Sequence, residues 1–437
     1  MFLRLRYYII LTGFIQIISC STNQEKDKPL LFWCSNNQRE IELFTQQTEV
    51  WNNGPSGIPI HLQPIPEGQS SEEVILAAVV GKTTPDIYAN MWQGSVELYA
   101  RAGTLIPLDT LKGFLKFIYE RCDSSVIKEI TSSDGHIYQV PWKVNPIMTI
   151  YNQDIFLANG ITEIPDNYSK YRQAAEVYKS NSRKNGQTHN WFGYTEVKPI
   201  WYERLFNFYP LYLAASGGAS LIRDNKAVFN NEYSIEVFRF LQSLYRDGYF
   251  TRERLSAAGD AFVLQQITTK WTGPWEISYL LQIPDRHFKF DYYAPPVPDD
   301  HVGPVYTYAD PKNIVVFNTC TRPQEAWDFM KTLIDKNGDL KLLETTGQLP
   351  RRKDLQTDAF YTDYFTKNPM MMTFAKQVPF SKGIDNCEVI VEVLDIISQE
   401  YEACVVYGKK TPEKAIEDAE RAVNVLLGEN TPSLNAM

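Results

Sequence analysis

The run Leu30-Leu31-Phe32-Trp33-Cys34 begins the pattern that decides the fold. Five apolar residues in succession, directly after Pro29, are typical of a short buried β-strand. From Glu40 to Trp51 the apolar residues recur at helical spacing, which predicts a helix. A second strand is predicted around residues 58–63. The chain therefore opens as a β-α-β unit.

The alternation of strand and helix continues beyond this unit. Residues 71–80 predict a second helix, which begins with the capping sequence Ser70-Ser71-Glu72-Glu73, and a strand follows at 86–89. Repeated β-α-β units imply an α/β fold with a largely parallel sheet and helices on its faces. Ligands of such sheets bind in loops beyond the carboxyl ends of the strands, and here these are the loops after Trp33, Ile65 and Tyr88.

The N-terminus carries the pattern of a secretory signal. Arg4 and Arg6 precede an uncharged apolar stretch, 7–18, that is shorter than the ~20 residues needed to span a bilayer. The small residue before Cys20 resembles a bacterial lipobox, which predicts removal of residues 1–19 as a lipoprotein signal peptide and acylation of Cys20, including palmitate. The alternative is an ordinary secreted protein with Cys20 near the cleavage point by chance.

Charge and length limit the classes of function. Removal of 1–19 leaves 418 residues and takes away two arginines and no acid, so the formal net charge moves from −9 to −11. An acidic chain argues against nucleic acid and against a polybasic membrane patch, because both need clustered Lys and Arg. Residues 20–28 are polar and are predicted to be a tether, and 418 residues favour two or three domains.

No motif indicates a metal site or a catalytic centre. The cysteines beyond Cys20 are odd in number and widely spaced, so neither a zinc site nor a disulfide scaffold is expected, although a single bridge stays open. The five histidines are scattered, without the spacing of metal ligands. There is no G-x-S-x-G motif, but two carboxylates meeting in space, as in a glycosidase, cannot be read from sequence.

Several stretches, separated along the chain, form a second pattern. They are Thr84-Pro85-Asp86-Ile87-Tyr88 with Ala100 to Asp109, Gly135 to Pro141 with Ile150 to Phe156 and Asn159-Gly160-Ile161, Ala214-Ala215-Ser216-Gly217-Gly218, Gly273-Pro274-Trp275, and Gly347-Gln348-Leu349-Pro350-Arg351. In order and interval they resemble the extracellular solute-binding protein family of bacterial ABC importers, in its carbohydrate-binding, maltodextrin-binding-like branch. The resemblance spans nearly the whole mature chain, and a final helix through Leu427 is similar as well.

The resemblance implies two α/β lobes joined by three hinge crossings, with a ligand cleft between the lobes. The expected bounds are 29–140 and 298–343 for the N-terminal lobe, 147–291 and 351–437 for the C-terminal lobe, and 141–146, 292–297 and 344–350 for the crossings. The second crossing is set at Ala294-Pro295-Pro296-Val297-Pro298, because closely spaced prolines stiffen an extended segment. A ligand that contacts both lobes would favour their closure.

Tryptophans are the first candidates for binding a sugar, in a chain that is 13% aromatic. A pyranose needs a flat ring against its C–H face and polar groups around its edge. The family resemblance makes Trp275 the first candidate for stacking. Trp92 and Asn90 lie together just after a predicted strand, and Trp33 ends another. For each tryptophan the alternative is a place in the core of a lobe.

Further candidates come from the resemblance. Trp142 and Asn145 lie in the first crossing, and Asn145 stands where related maltodextrin-binding proteins have an acidic ligand residue. Asn207 and Phe208 precede the Gly217-Gly218 landmark by the interval at which relatives contact ligand. In 306–313 many relatives have a Gly-Gly turn, so Tyr308 and Asp310 are expected to enter the cleft, unless this loop packs away from it.

Together these features predict a lipid-anchored, monomeric receptor that binds a sugar, expected to be an oligosaccharide, and delivers it to the transmembrane subunits of an ABC permease. No cofactor, metal, catalysis or nucleic acid is expected. The location would be the cell envelope, facing the periplasm or the exterior. Two alternatives stay open: a sensory or adhesion lipoprotein of the same fold, and a secreted carbohydrate hydrolase.

Overall fold

The computed structural model describes residues 28–55, 58–65, 70–184, 186, 190–255, 259–284 and 286–429. The predicted signal peptide, the acylation site Cys20 and most of the predicted tether lie outside these described residues. Within them, no helix combines the length and the apolar character that crossing a membrane requires.

The strands form two larger sheets and two small ones, and helices cover the larger sheets. The strands are β1 (Leu30–Cys34), β2 (Ile60–Pro64), β3 (Ile87–Trp92), β4 (Val140–Val144), β5 (Met148–Asn152), β6 (Trp191–Gly193), β7 (Ile222–Arg223), β8 (Lys226–Ala227), β9 (Ile267–Thr272), β10 (Phe290–Tyr293), β11 (Thr307–Tyr308), β12 (Lys312–Val316), β13 (Leu349–Pro350) and β14 (Ser381–Lys382). The helices are α1 (Gln38–Asn52), α2 (Ser71–Gly81), α3 (Gln93–Arg101), α4 (Phe114–Arg121), α5 (Ser124–Ile130), α6 (Gln153–Ala158), α7 (Tyr168–Lys184), α8 (Phe208–Ser216), α9 (Glu232–Arg246), α10 (Trp275–Gln282), α11 (Pro323–Leu333), α12 (Lys336–Thr346), α13 (Thr362–Lys367), α14 (Pro369–Gln377), α15 (Ile390–Tyr401) and α16 (Pro412–Glu429).

The predicted first elements are confirmed. β1 has the predicted bounds, and α1 and α2 contain the two predicted helices. The Asn37 side chain accepts hydrogen bonds from two backbone amides at the start of α1, and Ser70 accepts one from the Glu73 amide at the start of α2. These side chains satisfy amides that lack a partner within the helix. β3 runs beyond the predicted strand as far as Trp92.

The first sheet has the strand order β13-β4-β12-β3-β1-β2. β1 pairs with β2 and β3 in parallel, whereas β12 runs antiparallel to both β3 and β4, and β13 antiparallel to β4. β1, β2, β3 and β4 therefore run in the same direction, and the prediction of a largely parallel sheet holds for these four strands, whereas β12 and β13 run the opposite way. The chain leaves the first sheet after β4 and returns to it in β12, so β12 enters where β4 ends and runs the opposite way.

The second sheet has the order β10-β5-β9-β6. Its β5 pairs antiparallel with β10 and β9, and β6 pairs with β9 in parallel. One core packs helices such as α1 and α11 on the first sheet. Two further cores pack α7, α8, α9, α15 and α16, or α10 and α14, around the second sheet. Each sheet is thus the centre of one lobe.

The chain first passes between the lobes at Asn145–Ile147, which joins β4 to β5. The return comes just before β12, where the Asn145 amide donates to Ala309 O at 2.6 Å and the Ile147 amide to Tyr308 O at 2.9 Å. The last passage follows β13, which still pairs with β4 of the first sheet.

The second passage lies later than the predicted crossing at 292–297. Tyr292 and Tyr293 belong to β10, and Val297 forms a bridge with Asn167 beside α7 in the second lobe. Asp299 accepts a hydrogen bond from the Ser169 amide at 2.9 Å. The prolines keep this segment extended, as expected, but it runs along the second lobe. Residues 298–306 therefore lie with the second lobe, not the first.

The five described cysteines are buried and free. Cys34, Cys122, Cys320, Cys387 and Cys404 form no disulfide with one another. They lie among apolar side chains of the two lobes. The bridge that the sequence left open is therefore absent from the described residues.

Candidate functional site

Two residues with left-handed backbone mark the edge of the first sheet that faces the second lobe. Asn90 in β3 has φ 102°, and Asp310, just before β12, has φ 35°. Met91 pairs with Asn313 and Ala89 with Ile314, so Asn90 is the extra residue of a β-bulge. Non-glycine residues adopt such φ values at an energetic cost, and they cluster at functional sites. Asn90 and Asp310 therefore both lie on strained backbone.

Trp92 joins the two lobes. Its ring centroid lies 4.8 Å from that of Trp201, at an interplanar angle of 41°, and its Nε1–H donates to the Tyr308 hydroxyl at 2.9 Å. Trp201 begins a 3₁₀-helix, Trp201–Leu205, of the second lobe. Only 2% of the Trp92 side chain is exposed. The lobes therefore contact each other through aromatic rings, at the place where the ligand cleft is expected.

Tyr308 connects this aromatic pair to the strained carboxylate. Its hydroxyl lies 3.4 Å from Asp310 Oδ1, and Lys312 Nζ lies 3.7 Å from the same oxygen. Burial, followed by the charge of Asp310, raises the pKa of Tyr308 well above its ordinary value. Tyr308 is therefore a neutral hydroxyl that can both donate and accept a hydrogen bond.

Trp275 provides a second ring on the opposite lobe. It is half-buried at the start of α10, and Phe206 approaches its ring edge-on at a centroid distance of 6.2 Å. The same Phe206 lies 6.4 Å from Tyr308, which places Trp275 and Trp92 around one cleft. A Cβ on Gly273 would lie closer than 3.0 Å to the Trp275 ring, so only glycine allows the ring to lie over the backbone there.

The polar end of the cleft is built on the first passage between the lobes. Asn145 is 1% exposed, and its Nδ2 donates to Gln348 Oε1 at 3.1 Å. Gln348 Nε2 donates in turn to Glu40 Oε1 at 2.8 Å. Among the described residues, the Asn145 Oδ1 atom has no hydrogen-bond partner. It is a buried acceptor at the junction of the lobes, and such groups need a specific explanation.

Glu40 anchors this end of the cleft. It forms a buried ion pair with Lys143 and accepts a hydrogen bond from the Ser35 hydroxyl at 2.6 Å. Burial works to raise the pKa of Glu40, but the charge and hydrogen bond of Lys143 outweigh it and hold that pKa below its usual range. Glu40 is therefore ionised at neutral pH.

Of the predicted site residues, Trp92, Tyr308 and Asp310 are linked by hydrogen bonds, and Trp275 and Asn145 lie near them at the junction of the lobes. Asn90 lies on the bulge of β3, two positions before Trp92. Others lie elsewhere. Trp142 is 1% exposed and packs on Phe44 in the core of the first lobe, at a centroid distance of 5.0 Å. Trp33 is half-buried beside a small cluster that includes Ile65 and Ile75, and its Nε1 has no hydrogen-bond partner in the described part of the chain.

The predicted pair Asn207 and Phe208 serves the second lobe itself. Asn207 caps α8, accepting a hydrogen bond from the Phe208 amide at 2.6 Å. Phe208 is fully buried against Phe238 at a centroid distance of 5.3 Å. Phe206, two positions before Phe208, is the aromatic residue beside Trp275.

Sequence reasoning missed three residues of the cleft. Trp201 begins a 3₁₀-helix and Phe206 follows it, and their only signal was the density of aromatic residues just before Asn207. Gln348 was read as part of a family landmark and not as a polar side chain. A separate cavity of about 500 Å³ lies between α5, residues 351–356 and residues 378–386, and none of the predicted site residues lines it.

Comparisons with known proteins agree with this architecture. The structure superposes on an uncharacterized protein of Listeria monocytogenes with a TM-score of 0.79 and 26% identity, covering 92% of this chain and 100% of the other. A cyclic α-maltosyl-1,6-maltose binding protein of Arthrobacter globiformis gives a TM-score of 0.76 and 19% identity, with coverage of 92% and 100%. The sugar-binding protein MalE of Xanthomonas citri gives 0.74 and 17%, with coverage of 92% and 98%.

The sequence itself matches a family profile. Residues 44–373 match the profile of the bacterial extracellular solute-binding proteins. This stretch covers well over half of the chain and includes Trp92, Asn145, Trp275 and Gln348. The protein therefore belongs to the bacterial extracellular solute-binding protein family.

Proposed function

We propose that this protein is the lipid-anchored substrate-binding component of an ABC importer, and that it takes a sugar, expected to be an oligosaccharide, between its two lobes. The observation that carries this proposal is the aromatic cleft itself. Trp92 and Trp201 meet across the lobes, Trp275 lies nearby with part of its ring exposed, and strained Asn90 and Asp310 border the same edge. Flat rings with amides and carboxylates around them suit the C–H face and hydroxyl rim of a pyranose.

The assignment of roles follows from exposure. Trp275 would stack on one sugar face, because its ring is only half-buried and meets Phe206 edge-on. Asn90, Asp310 and Asn145 would exchange hydrogen bonds with hydroxyl groups, and Trp33 would lie at the margin. Trp142, Asn207 and Phe208 would act only by holding the lobes in shape, since they are buried in their own lobe.

Ligand class is supported by two of the structural neighbours. The Arthrobacter protein binds cyclic α-maltosyl-1,6-maltose, and the Xanthomonas protein is a sugar-binding protein. Their identity to this chain is low, so they support a carbohydrate without naming one. A protein of this kind binds and releases its ligand, and we expect oligosaccharides to be recovered unchanged after incubation with it.

Delivery to a permease would depend on the lobes moving. A ligand that contacts both lobes stabilises the closed arrangement, which a permease can distinguish from the open one. Acylation of Cys20 would keep the monomeric receptor at high local concentration beside its membrane partner. Cys20→Ser should move the protein from the membrane fraction to the soluble fraction and abolish labelling by a palmitate analogue.

A thermal-shift screen of the mature protein against sugars, polyols, amino acids and polyamines tests the ligand class. A ligand at 100 times its dissociation constant adds about 2.7 kcal/mol to the free energy of unfolding, which a melting curve detects easily. We expect oligosaccharides to raise the melting temperature. A response confined to amino acids or polyamines would overturn the carbohydrate proposal, and release of reducing sugar would favour a hydrolase.

A further inference from the structure

A chain of hydrogen bonds runs from a buried carboxylate to the unpaired oxygen of Asn145. Glu40 Oε1 accepts from Gln348 Nε2 at 2.8 Å, and Gln348 Oε1 accepts from Asn145 Nδ2 at 3.1 Å. We propose that Glu40 and Gln348 are positioning residues that fix the Asn145 amide with its oxygen free for the ligand, so that this point of the site selects a ligand hydroxyl that donates. The inference rests on the proposed function for its ligand, but not for its geometry.

Glu40 carries a negative charge. Its side chain is almost completely buried, and it is paired with Lys143, whose ammonium group also lies 4.5 Å from the centroid of the Trp142 ring. The Ser35 hydroxyl donates to the other carboxylate oxygen at 2.6 Å. A buried cation and a hydroxyl donor both stabilise the ionised form. An ionised carboxylate has no proton to give and can only accept.

The orientation of the two amides follows from their chemistry. Since Glu40 can only accept, Gln348 must turn its NH₂ group toward it, which leaves the Gln348 carbonyl oxygen on the other side. That oxygen can only accept, so Asn145 must present its own NH₂ group to Gln348. Within this series of hydrogen bonds, only the Asn145 oxygen is then left without a donor. One buried charge thus determines the orientation of two side chains.

The free oxygen of Asn145 can accept a hydrogen bond from a ligand. Asn145 Oδ1 is buried and has no partner within the described residues. The Asn145 backbone amide donates to Ala309 O at 2.6 Å, which places this residue next to Asp310 at the meeting point of the lobes. A buried acceptor left unpaired is costly, and a hydroxyl of a bound sugar removes that cost. A ligand carrying only acceptors at this point, such as a carboxylate, is disfavoured.

The same sheet contains a matched control. Gln139 and Asn313 form another buried amide pair, in which Asn313 Nδ2 donates to Gln139 Oε1. Both residues are at most 1% exposed. The pair resembles Gln348 and Asn145 in chemistry and burial but does not lie on a passage between the lobes. Gln139→Met therefore reports the cost of losing a buried amide pair that has no link to Glu40, Gln348 or Asn145.

The first experiment measures affinity by calorimetry for wild type, Gln348→Met and Gln139→Met, using the tightest oligosaccharide of a panel and its monodeoxy analogues. For wild type, removal of one particular hydroxyl should weaken binding about tenfold. In Gln348→Met the parent sugar should bind about tenfold more weakly. Removal of that hydroxyl should then weaken binding no more than removal of any other. Gln139→Met should keep the wild-type pattern. An unchanged pattern in Gln348→Met would overturn the inference.

A second experiment needs no ligand and tests the geometry by melting temperature. In Asn145→Asp a carboxylate faces the Gln348 carbonyl, and Gln348 cannot turn because Glu40 holds its NH₂ group. Glu40→Gln frees Gln348 to turn, so it should restore part of the melting temperature lost in Asn145→Asp. Wild type, the two single variants and the double variant form a double-mutant cycle, which is repeated in a Gln348→Met background. That background removes the amide but keeps any direct charge effect between positions 40 and 145.

We expect Glu40→Gln to restore part of the melting temperature that Asn145→Asp loses. This favourable coupling between the two substitutions should fall by at least half when Gln348 is replaced by Met. Equal coupling in both backgrounds would contradict the geometry. If no sugar binds wild type, the proposed function fails, yet this cycle still decides whether Glu40 orients Asn145. If a Glu40→Gln variant does not fold, the calorimetric comparison of Gln348→Met with Gln139→Met decides instead.

Discussion

Trp92 and Trp275 are tryptophans on opposite sides of one cleft, and they are held in different ways. Trp92 is enclosed, with its indole N–H bonded to Tyr308 and its ring against Trp201. Trp275 is half-buried and touches Phe206 only at an edge. Each ring lies over a glycine, Gly94 for Trp92 and Gly273 for Trp275. The two lobes therefore present similar rings, but the Trp275 ring is freer to move than the Trp92 ring.

The difference separates two roles. Trp92 contacts both lobes and is 2% exposed, so ligand can reach its ring only if the lobes move apart. Among the described residues Trp275 has no hydrogen bond that a ligand must break, and it can act as a platform without such a movement. Substitutions at Trp92 should therefore change stability and affinity together, whereas substitutions at Trp275 should change affinity with little effect on stability.

The largest effect is expected from Trp275→Ala. A ring that packs on ligand at the centre of a site contributes about 2–4 kcal/mol, so affinity should fall about 30- to 1,000-fold in a calorimetric titration. The melting temperature should change little. Trp327→Phe, in the core of the first lobe, is the control and should show the reverse. Unchanged affinity in Trp275→Ala would remove Trp275 from the site.

The two glycines make the comparison sharper. A Cβ at either position would lie closer than 3.0 Å to the neighbouring indole, so alanine must displace the ring. The enclosed Trp92 ring has no free space, and Gly94→Ala should lower the free energy of unfolding by about 1–3 kcal/mol. In Gly273→Ala the Trp275 ring can move toward solvent, so affinity should fall while stability changes less.

Chemical denaturation and calorimetry on the same samples measure both quantities. Gly428→Ala in α16 is the control, because a Cβ there meets nothing within 4 Å, and it should raise stability slightly. Equal losses of stability in Gly94→Ala and Gly273→Ala would contradict the distinction between an enclosed ring and a free one.

A smaller effect is expected from Trp92→Phe. The substitution keeps an aromatic ring but removes the N–H that donates to Tyr308, which should cost about 1 kcal/mol in the free energy of unfolding. Tyr308→Phe should cost a similar amount, because it leaves the Trp92 N–H buried without an acceptor. The double variant should lose less than the sum of the two. Strict additivity in denaturation would show that the hydrogen bond contributes nothing.

The smallest effect concerns the strained backbone next to Trp92. Asn90→Gly relieves a φ of 102° and should raise the free energy of unfolding by about 0.5–1 kcal/mol. It also removes an amide, so sugar affinity should fall about tenfold. Lys82→Gly, at φ 54° on the exposed end of α2, should stabilise similarly and leave affinity unchanged. A stabilised Asn90→Gly with full affinity would exclude Asn90 from binding.

Local sequence signals predicted the start of the fold well. The apolar run of β1 and the capped helices α1 and α2 depend on neighbouring residues, which the sequence shows directly. The return to the first sheet was expected too early, since prolines 295, 296 and 298 report an extended chain but not what it packs against. The antiparallel direction of β12 likewise depends on the course of the chain through the other lobe.

The candidate site was predicted in part, for the same reason. The resemblance directed attention to Trp275 and Asn145, and the end of a predicted strand directed it to Trp92; all three lie at the junction of the lobes. Phe208 was chosen, whereas Phe206 faces Trp275, because the sequence does not show where α8 begins or which of the two rings it buries. The hydrogen bond between Glu40 and Gln348 joins residues more than 300 positions apart, and no local sequence pattern could indicate it.

A crystal structure of the mature protein with the tightest sugar from the screen tests the central claim most directly. We expect one sugar ring to stack on Trp275, with hydroxyl groups within hydrogen-bonding distance of Asp310 and of Asn145 Oδ1, and with Trp92 on the opposite side of the cleft. Sugar bound elsewhere, for example in the cavity of about 500 Å³ between α5 and residues 351–356, would contradict the account.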